Sequence, residues 1–136
     1  MRKKKASNFR KIYLGVGEYP DSGRFSFCIY DKGIGIIQRM KDDSERWFDS
    51  LKGLAISDSK MIEKATLGKT IAGKEKKDGR GKGLKEAIDL LKLNYGQLEI
   101  LSEQGYFSTY KENDGKNRKS SLEGTMVAFS FPIEYT

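Results

Sequence analysis

Five alternating segments, two near the start of the chain and three near its end, constrain the fold more than any other feature. The first two are KIYLGVG (residues 11–17) and FSFCIYD (residues 25–31), and the turn-forming residues of EYPDSGR lie between them. Such alternation is typical of strands with one buried face. The pair therefore predicts an antiparallel hairpin, with Ile12, Leu14 and Val16 on one face.

The later segments are QLEILS, YFSTY and TMVAFSFPI, and the polar run KENDGKNRKSSLEG (residues 111–124) predicts a flexible hairpin tip between the last two. Between the two groups the period becomes helical. LKEAIDLLKLNYG (residues 84–96) predicts the clearest helix, and DDSERWFDSLKGLA and SDSKMIEKATLG predict two shorter ones. This order predicts an α/β two-layer sandwich, in which helices cover one face of a mixed, mainly antiparallel sheet.

Length, charge and residue usage limit the number of domains, the partners and the chemistry that we expect of this chain. The 136 residues suit one domain. The net charge of +7 favours polyanionic partners, which include nucleic acid, acidic membranes and nucleotide phosphates. Cys28 is the only cysteine and histidine is absent, so intrachain disulfides and imidazole chemistry are excluded. No apolar run is long enough to span a bilayer, so we expect a cytoplasmic protein with no membrane partner and no protein-ligated metal.

Three glycine motifs stand at predicted element boundaries: DKGIG (residues 31–35), GRGKGL (residues 79–84) and GT (residues 124–125). By itself, DKGIG is more typical of a turn than of a site. GRGKGL is either a linker or, because it opens directly into the clearest helix, an anion site for phosphates. GKTIAGKE is not a Walker A loop, because Glu75 stands where Ser or Thr should bind Mg²⁺. GIGIIQ lacks the third glycine of the dinucleotide fingerprint.

In this order and at these boundaries, YDKGIGI, GRGKGLKEAIDLL and GTMVAFSFPI resemble the three glycine boxes of the GHKL ATPase family. That family includes gyrase, heat-shock chaperone ATPases, mismatch-repair ATPases and sensor histidine kinases. The resemblance spans about residues 10–133. It implies the Bergerat ATP-binding fold, with residues 1–136 as one histidine-kinase-like domain and residues 40–78 as an insertion similar to the ATP lid.

The resemblance also implies an adenine-nucleotide ligand, ATP or ADP, and a role for each matching residue. The carboxylate of Asp31 would accept a hydrogen bond from the adenine amino group. Gly33 and Gly35, followed by Ile36, would let the backbone turn against the purine. Thr125 would help to hold a water molecule between the aspartate and the base. Gly79, Gly81 and Gly83 would cradle the phosphates, and Leu84 would anchor the helix behind them. Arg80, Lys82 and Lys77 would add positive charge to the phosphate site.

One part of the family pattern is missing. Family members carry, before the hairpin, a helix with a catalytic acid and an asparagine that binds Mg²⁺. In MRKKKASNFR, Asn8 is the one candidate for this asparagine. One helical turn earlier, where the catalytic acid would be expected, the chain has Lys4. Either the chain is the rear portion of a longer domain, which we favour, or it is a reduced member that lost catalysis. Mg²⁺ is expected only with the intact domain, and no catalytic residue is assigned.

The missing helix would leave apolar sheet surface uncovered, so we expect self-association or cover by a protein partner or by the missing N-terminal segment. Two other functions stay open. One is a basic nucleic-acid-binding module that uses residues 3–5, 74–82 and 116–119. The other is a protein interaction domain that keeps the fold without a ligand. The leading interpretation is the nucleotide-binding lobe of a signalling or regulatory ATPase or kinase.

Overall fold

The structure, a computed structural model, describes residues 11–46, 56–71, 73 and 82–133. A single turn of 3₁₀-helix, Pro20–Ser22, joins the first two strands. The strands and helices, in chain order, are β1 (Ile12–Tyr19), β2 (Arg24–Asp31), α1 (Gly35–Arg46), α2 (Asp58–Thr66), α3 (Lys82–Leu93), β3 (Gln97–Glu103), β4 (Gly105–Ser108) and β5 (Leu122–Pro132).

The five strands form one sheet in the order β1-β2-β5-β3-β4. The α/β class is confirmed, but the sheet is not mixed: all four pairings among the described residues are antiparallel. The helical segment connects β2 with β3, and these two strands run in the same direction. They are not neighbours, because β5 lies between them and runs antiparallel to both. Because β5 keeps β2 and β3 apart, no described pair of strands is parallel, which corrects the expectation of a mixed sheet.

The core lies between the three helices and the sheet. Each helix contributes an apolar stripe, and β3 contributes every second residue. The buried members are Ile37, Met40, Met61, Ile62, Ala65, Ile71, Ile88, Leu91, Leu98 and Ile100. Three residues of β5, Val127, Phe129 and Phe131, pack against this cluster, and the rings of Phe129 and Phe27 stack at 4.7 Å. Because Met61 and Ile62 belong to α2, the middle of the segment 40–78 forms part of the core; its assignment as a lid stays a prediction.

The first short helix begins earlier than predicted. It was expected over residues 42–55, whereas α1 begins at Gly35, directly after the first glycine motif. Its buried residues, Ile37 and Met40, lie three apart and face the core, which explains the earlier start. Residues 47–55 lie outside the described part of the chain.

The polar run at 111–124 is not a hairpin tip, because β4 and β5 are not neighbours in the sheet. Instead it is held against the N-terminus of α2. The Ser57 hydroxyl donates to the Gly115 carbonyl at 2.5 Å, and the Asp58 amide donates to Asn117 Oδ1 at 2.9 Å. Loop polar groups thereby satisfy the free amides and hydroxyls of the helix end. Nothing in the run's composition showed these partners.

Among the residues that the structure describes, the helices leave the β1 edge of the sheet uncovered. On β1, Ile12, Leu14 and Val16 are 61%, 74% and 74% exposed, although they point to the same face as the core residues of the neighbouring strands. The exposed apolar surface that we expected is therefore present. Among the described residues, no helix has the length and apolar character needed to cross a membrane.

Candidate functional site

The first and third glycine motifs meet where β2 ends. Asp31 is the last residue of β2 and is paired with Thr125 of β5. Gly124, just before Thr125, has φ +83°. A Cβ on Gly124 would lie 2.9 Å from Lys32 Cα and 3.1 Å from the carbonyl carbon of Asp31, and closer still to the carbonyl oxygen. The two backbones touch there, and only glycine permits both the conformation and the contact.

The first motif turns back over this contact. Gly33 donates its amide hydrogen to Asp31 Oδ1 at 2.9 Å, so the carboxylate is fixed at the strand end. Gly35 has φ +83°, and a Cβ there would lie 3.1 Å from both the Gly124 carbonyl oxygen and Ser102 Oγ. We call this contact between DKGIG and GT the glycine junction. It brings five of the predicted site residues together: Asp31, Gly33, Gly35, Ile36 and Thr125.

Two hydroxyl groups lock the glycine junction. Thr125 Oγ1 accepts a hydrogen bond from the Ile36 amide at 2.9 Å, which satisfies one of the free donors at the start of α1. The Ser102 hydroxyl donates to the Gly124 carbonyl at 2.5 Å, and the Thr125 hydroxyl lies 3.3 Å from Ser102 Oγ as its donor. These hydrogen bonds tie β3, β5 and the start of α1 together around the glycine junction.

Ser102 was not among the residues predicted for the site. The sequence nevertheless contained a sign of its role. In QLEILS, Leu98 and Ile100 lie on the buried face of the strand, and Ser102 is the next residue on that same face but is polar. Ser102 is fully buried. A buried hydroxyl on the apolar face of a strand needs a hydrogen-bond partner, and that requirement pointed to a polar contact at this end of the sheet.

The second motif is described only in part. Lys77, Gly79, Arg80 and Gly81 lie outside the described residues, so their predicted phosphate contacts stay predictions. Lys82 and Gly83 are exposed in the first turn of α3, and a Cβ on Gly83 would meet no atom within 4 Å. Leu84 packs against the core, as does Ile36 of the first motif. One apolar cluster therefore supports both motifs.

Two grooves lie elsewhere. One, of about 480 Å³, crosses the sheet face opposite the helices, where Gly15, Cys28, Glu99 and Tyr110 are among its lining residues. Tyr110 donates its phenol proton to Glu99, and this hydrogen bond, together with burial, raises the pKa of Tyr110 to about 12. Burial also raises the pKa of the Cys28 thiol. The other, of about 390 Å³, lies between α2, α3 and the end of β4.

No protein-family model matches the chain, and no curated protein matches its sequence. Function is therefore inferred from the geometry of the glycine junction and from the chemistry of its residues.

Proposed function

We propose that the chain binds an adenine nucleotide, ATP or ADP, at the glycine junction, as the nucleotide-binding lobe of a histidine-kinase-like GHKL ATPase with the Bergerat fold. The observation that carries this proposal is the junction itself, which holds the half-buried Asp31 carboxylate in a fixed position at a strand end. A fixed carboxylate acceptor that is partly open to solvent suits the amino edge of a flat base.

Asp31 retains capacity for a ligand. A carboxylate offers about four acceptor positions, and the Gly33 amide occupies one of them on Oδ1. Asp31 is only half-buried, so a base can reach it. A hydrogen bond to a charged acceptor is about twice as strong as one between neutral groups, which suits recognition of a single amino group.

Thr125 retains capacity for a water molecule. Its hydroxyl has one donor and two acceptor positions; the Ile36 amide takes one acceptor, and Ser102 Oγ receives the proton at the long distance of 3.3 Å. Rotation of the hydroxyl would exchange this weak contact for a water between Asp31 and the base. Ser102 then acts as a positioning residue, since it sets where the Thr125 proton lies in the absence of ligand.

The start of α3 supports a phosphate site. Helix N-termini attract anions, and Lys82 adds a positive charge there. Among the described residues, Gly83 needs its lack of a side chain neither for a positive φ nor for space. A glycine at this position would allow a phosphate to approach the backbone closely, which supports the proposal.

The proposal assigns no catalytic base and no Mg²⁺ ligand to this chain. ATPase and protein kinase activity both belong to the intact family domain, in which positioning and charge neutralisation carry phosphoryl transfer. We therefore propose a signalling or regulatory role in the cytoplasm, where adenine nucleotides are supplied, with nucleotide binding as the activity of the described lobe.

Isothermal titration with ADP and Mg²⁺ tests this proposal with three proteins: the unchanged chain, Asp31→Asn and the control Asp21→Asn. Asp21 is an exposed acid in the 3₁₀ turn between β1 and β2. Loss of a hydrogen bond to a charged acceptor costs about 1.5–3 kcal/mol, so Asp31→Asn should weaken binding about tenfold or more. Asp21→Asn, which removes the same charge, should bind as the unchanged chain does.

Titration at low and high salt separates base recognition from attraction to phosphate. An affinity that falls steeply with salt and ignores Asp31→Asn would refute the adenine site and favour a general polyanion or nucleic-acid surface. Absence of binding to the unchanged chain would favour an interaction domain that keeps the fold without a ligand.

A further inference from the structure

The strand β1 forms one edge of the sheet. Among the residues that the structure describes it pairs with β2 alone, and its other side carries no strand. Seven of its eight residues are exposed. We propose that β1 is a dimerisation strand, which pairs in the antiparallel direction with β1 of a second copy of this chain.

The edge carries few of the features that usually prevent such pairing. Exposed edge strands in soluble proteins typically carry charged residues, above all lysine, or proline or a bulge. The sequence of β1, IYLGVGEY, contains neither lysine nor proline, and its one charged residue is Glu18, next to its last residue. Its register with β2 runs without a shift from Ile12↔Asp31 to Tyr19↔Arg24, so it has no bulge. The strand is eight residues long, and within the described part of the chain its outer edge carries no other strand.

The apolar residues of β1 are self-complementary in one register. If Leu14 lies opposite Leu14 of the second copy on a twofold axis, then Ile12 lies opposite Val16 at both ends of the pair. All three are well exposed on the helix side of the sheet. On the other side, Tyr13 comes opposite Gly15, where an aromatic ring covers a glycine backbone.

The neighbouring registers fit less well. Gly15 opposite Gly15 would bring Ile12 against the charged Glu18 of the second copy, which leaves an apolar side chain facing a carboxylate. A shift by an odd number of residues would place Ile12, Leu14 and Val16 opposite residues of the other face. The register centred on Leu14 is therefore the one that matches apolar with apolar along the pair.

The expected dimer has a continuous ten-stranded sheet, with the two glycine junctions on separate copies. One strand pair buries less than the roughly 800 Å² that each partner contributes to a standard interface, so we expect dissociation in the micromolar range. This inference does not depend on nucleotide binding, because it uses only the edge of the sheet.

Sedimentation equilibrium on the full chain, from about 1 μM to about 1 mM, tests the dimer against the micromolar expectation. Leu14→Lys places a charge on the edge at a site that is 74% exposed, so the fold should survive it. Leu93→Lys is the matched control, since Leu93 on α3 is 77% exposed and lies away from β1. The unchanged chain and Leu93→Lys should dimerise alike, and Leu14→Lys should raise the dissociation constant at least about tenfold. The proposal is overturned if the unchanged chain stays monomeric over this whole concentration range. It is also overturned if the Leu14→Lys variant dimerises as tightly as the unchanged chain.

Cross-linking tests the register. In a Cys28→Ser background, Leu14→Cys should be cross-linked to its own copy by a short bifunctional thiol reagent, because residues directly opposite have Cβ atoms about 5 Å apart. In the same register Val16→Cys would lie about 13 Å from its own copy along the strands and should react poorly. Any other pattern, including equal cross-linking or none at either position, overturns this pairing.

Discussion

Gly124 is the position where a single added methyl group should disturb the structure most. It combines φ +83° with backbone atoms of Asp31 and Lys32 inside the space of a Cβ. Asp31 is the last residue of β2 and Lys32 follows it. The atoms that a Cβ would meet belong to the main chain, so they cannot rotate away as the end of a flexible side chain would. The Gly124→Ala variant must therefore separate β5 from the end of β2 or abandon its conformation.

The expected loss has two parts. A left-handed conformation costs a residue with a Cβ about 1–2 kcal/mol, and forced overpacking costs about 1–3 kcal/mol more. We expect Gly124→Ala to lower the free energy of unfolding by about 2–5 kcal/mol, a large share of the roughly 5–15 kcal/mol that stabilises an ordinary domain.

Urea unfolding, followed by circular dichroism, measures this loss against a matched control. Gly23, in the turn between β1 and β2, has φ +61° and nothing within 4 Å of its Cβ position. Gly23→Ala should therefore pay only the conformational part, about 1–2 kcal/mol. Equal losses in the two variants would show that the close approach at Gly124 carries no energy, and the description of the glycine junction would fail.

Substitutions at two further positions probe hydrogen bonds on opposite faces of the sheet. Thr125→Val removes the acceptor of the Ile36 amide and should cost about 1–2 kcal/mol of unfolding free energy, whereas Thr125→Ser should cost less; urea midpoints that rank the two equally would contradict this. Tyr110 donates to Glu99, and this bond raises its pKa to about 12. An unfolded tyrosine loses its proton near pH 10, so between about pH 10 and pH 12 the unfolded state releases a proton that the folded state keeps, and stability falls as pH rises. Urea titrations across this window should show a smaller fall for Tyr110→Phe, although the exposure of the ring screens the effect; identical slopes would contradict the assignment.

The periodic elements were predictable because local patterns determine them. The hairpin of β1 and β2, the helices α2 and α3 and the three final strands all appear where alternation or helical spacing indicated. The sequence could not reveal that β5 inserts between β2 and β3, because strand order depends on contacts far apart in the chain. Nor does the sequence show why glycine stands at residue 96, at the end of the segment that predicts α3.

At the end of α3 the left-handed residue is Tyr95, with φ 55°, and not Gly96. A Cβ at residue 96 would crowd its neighbours, because it would lie 2.7 Å from Leu91 Cδ2 and 3.1 Å from both the Leu91 carbonyl oxygen and Phe131 Cε1. The chain passes there between its own helix and β5. Composition marks such a position as a helix stop, but only the packed structure shows that space, and not conformation, selects the residue.

The same distinction decides which glycines bear on function. Gly124 and Gly35 are required by their conformations and by the atoms around them, so a protein with this fold would need them with or without a ligand. They support the resemblance in sequence but discriminate poorly between a nucleotide site and a structural turn. Gly83 and the charge on Asp31 are different, because the packing of the described residues demands neither. A Cβ on Gly83 would meet no described atom within 4 Å, and an asparagine could accept the same hydrogen bond from the Gly33 amide that Asp31 accepts. Substitutions at these two positions therefore test the proposed nucleotide site with the least disturbance of the fold.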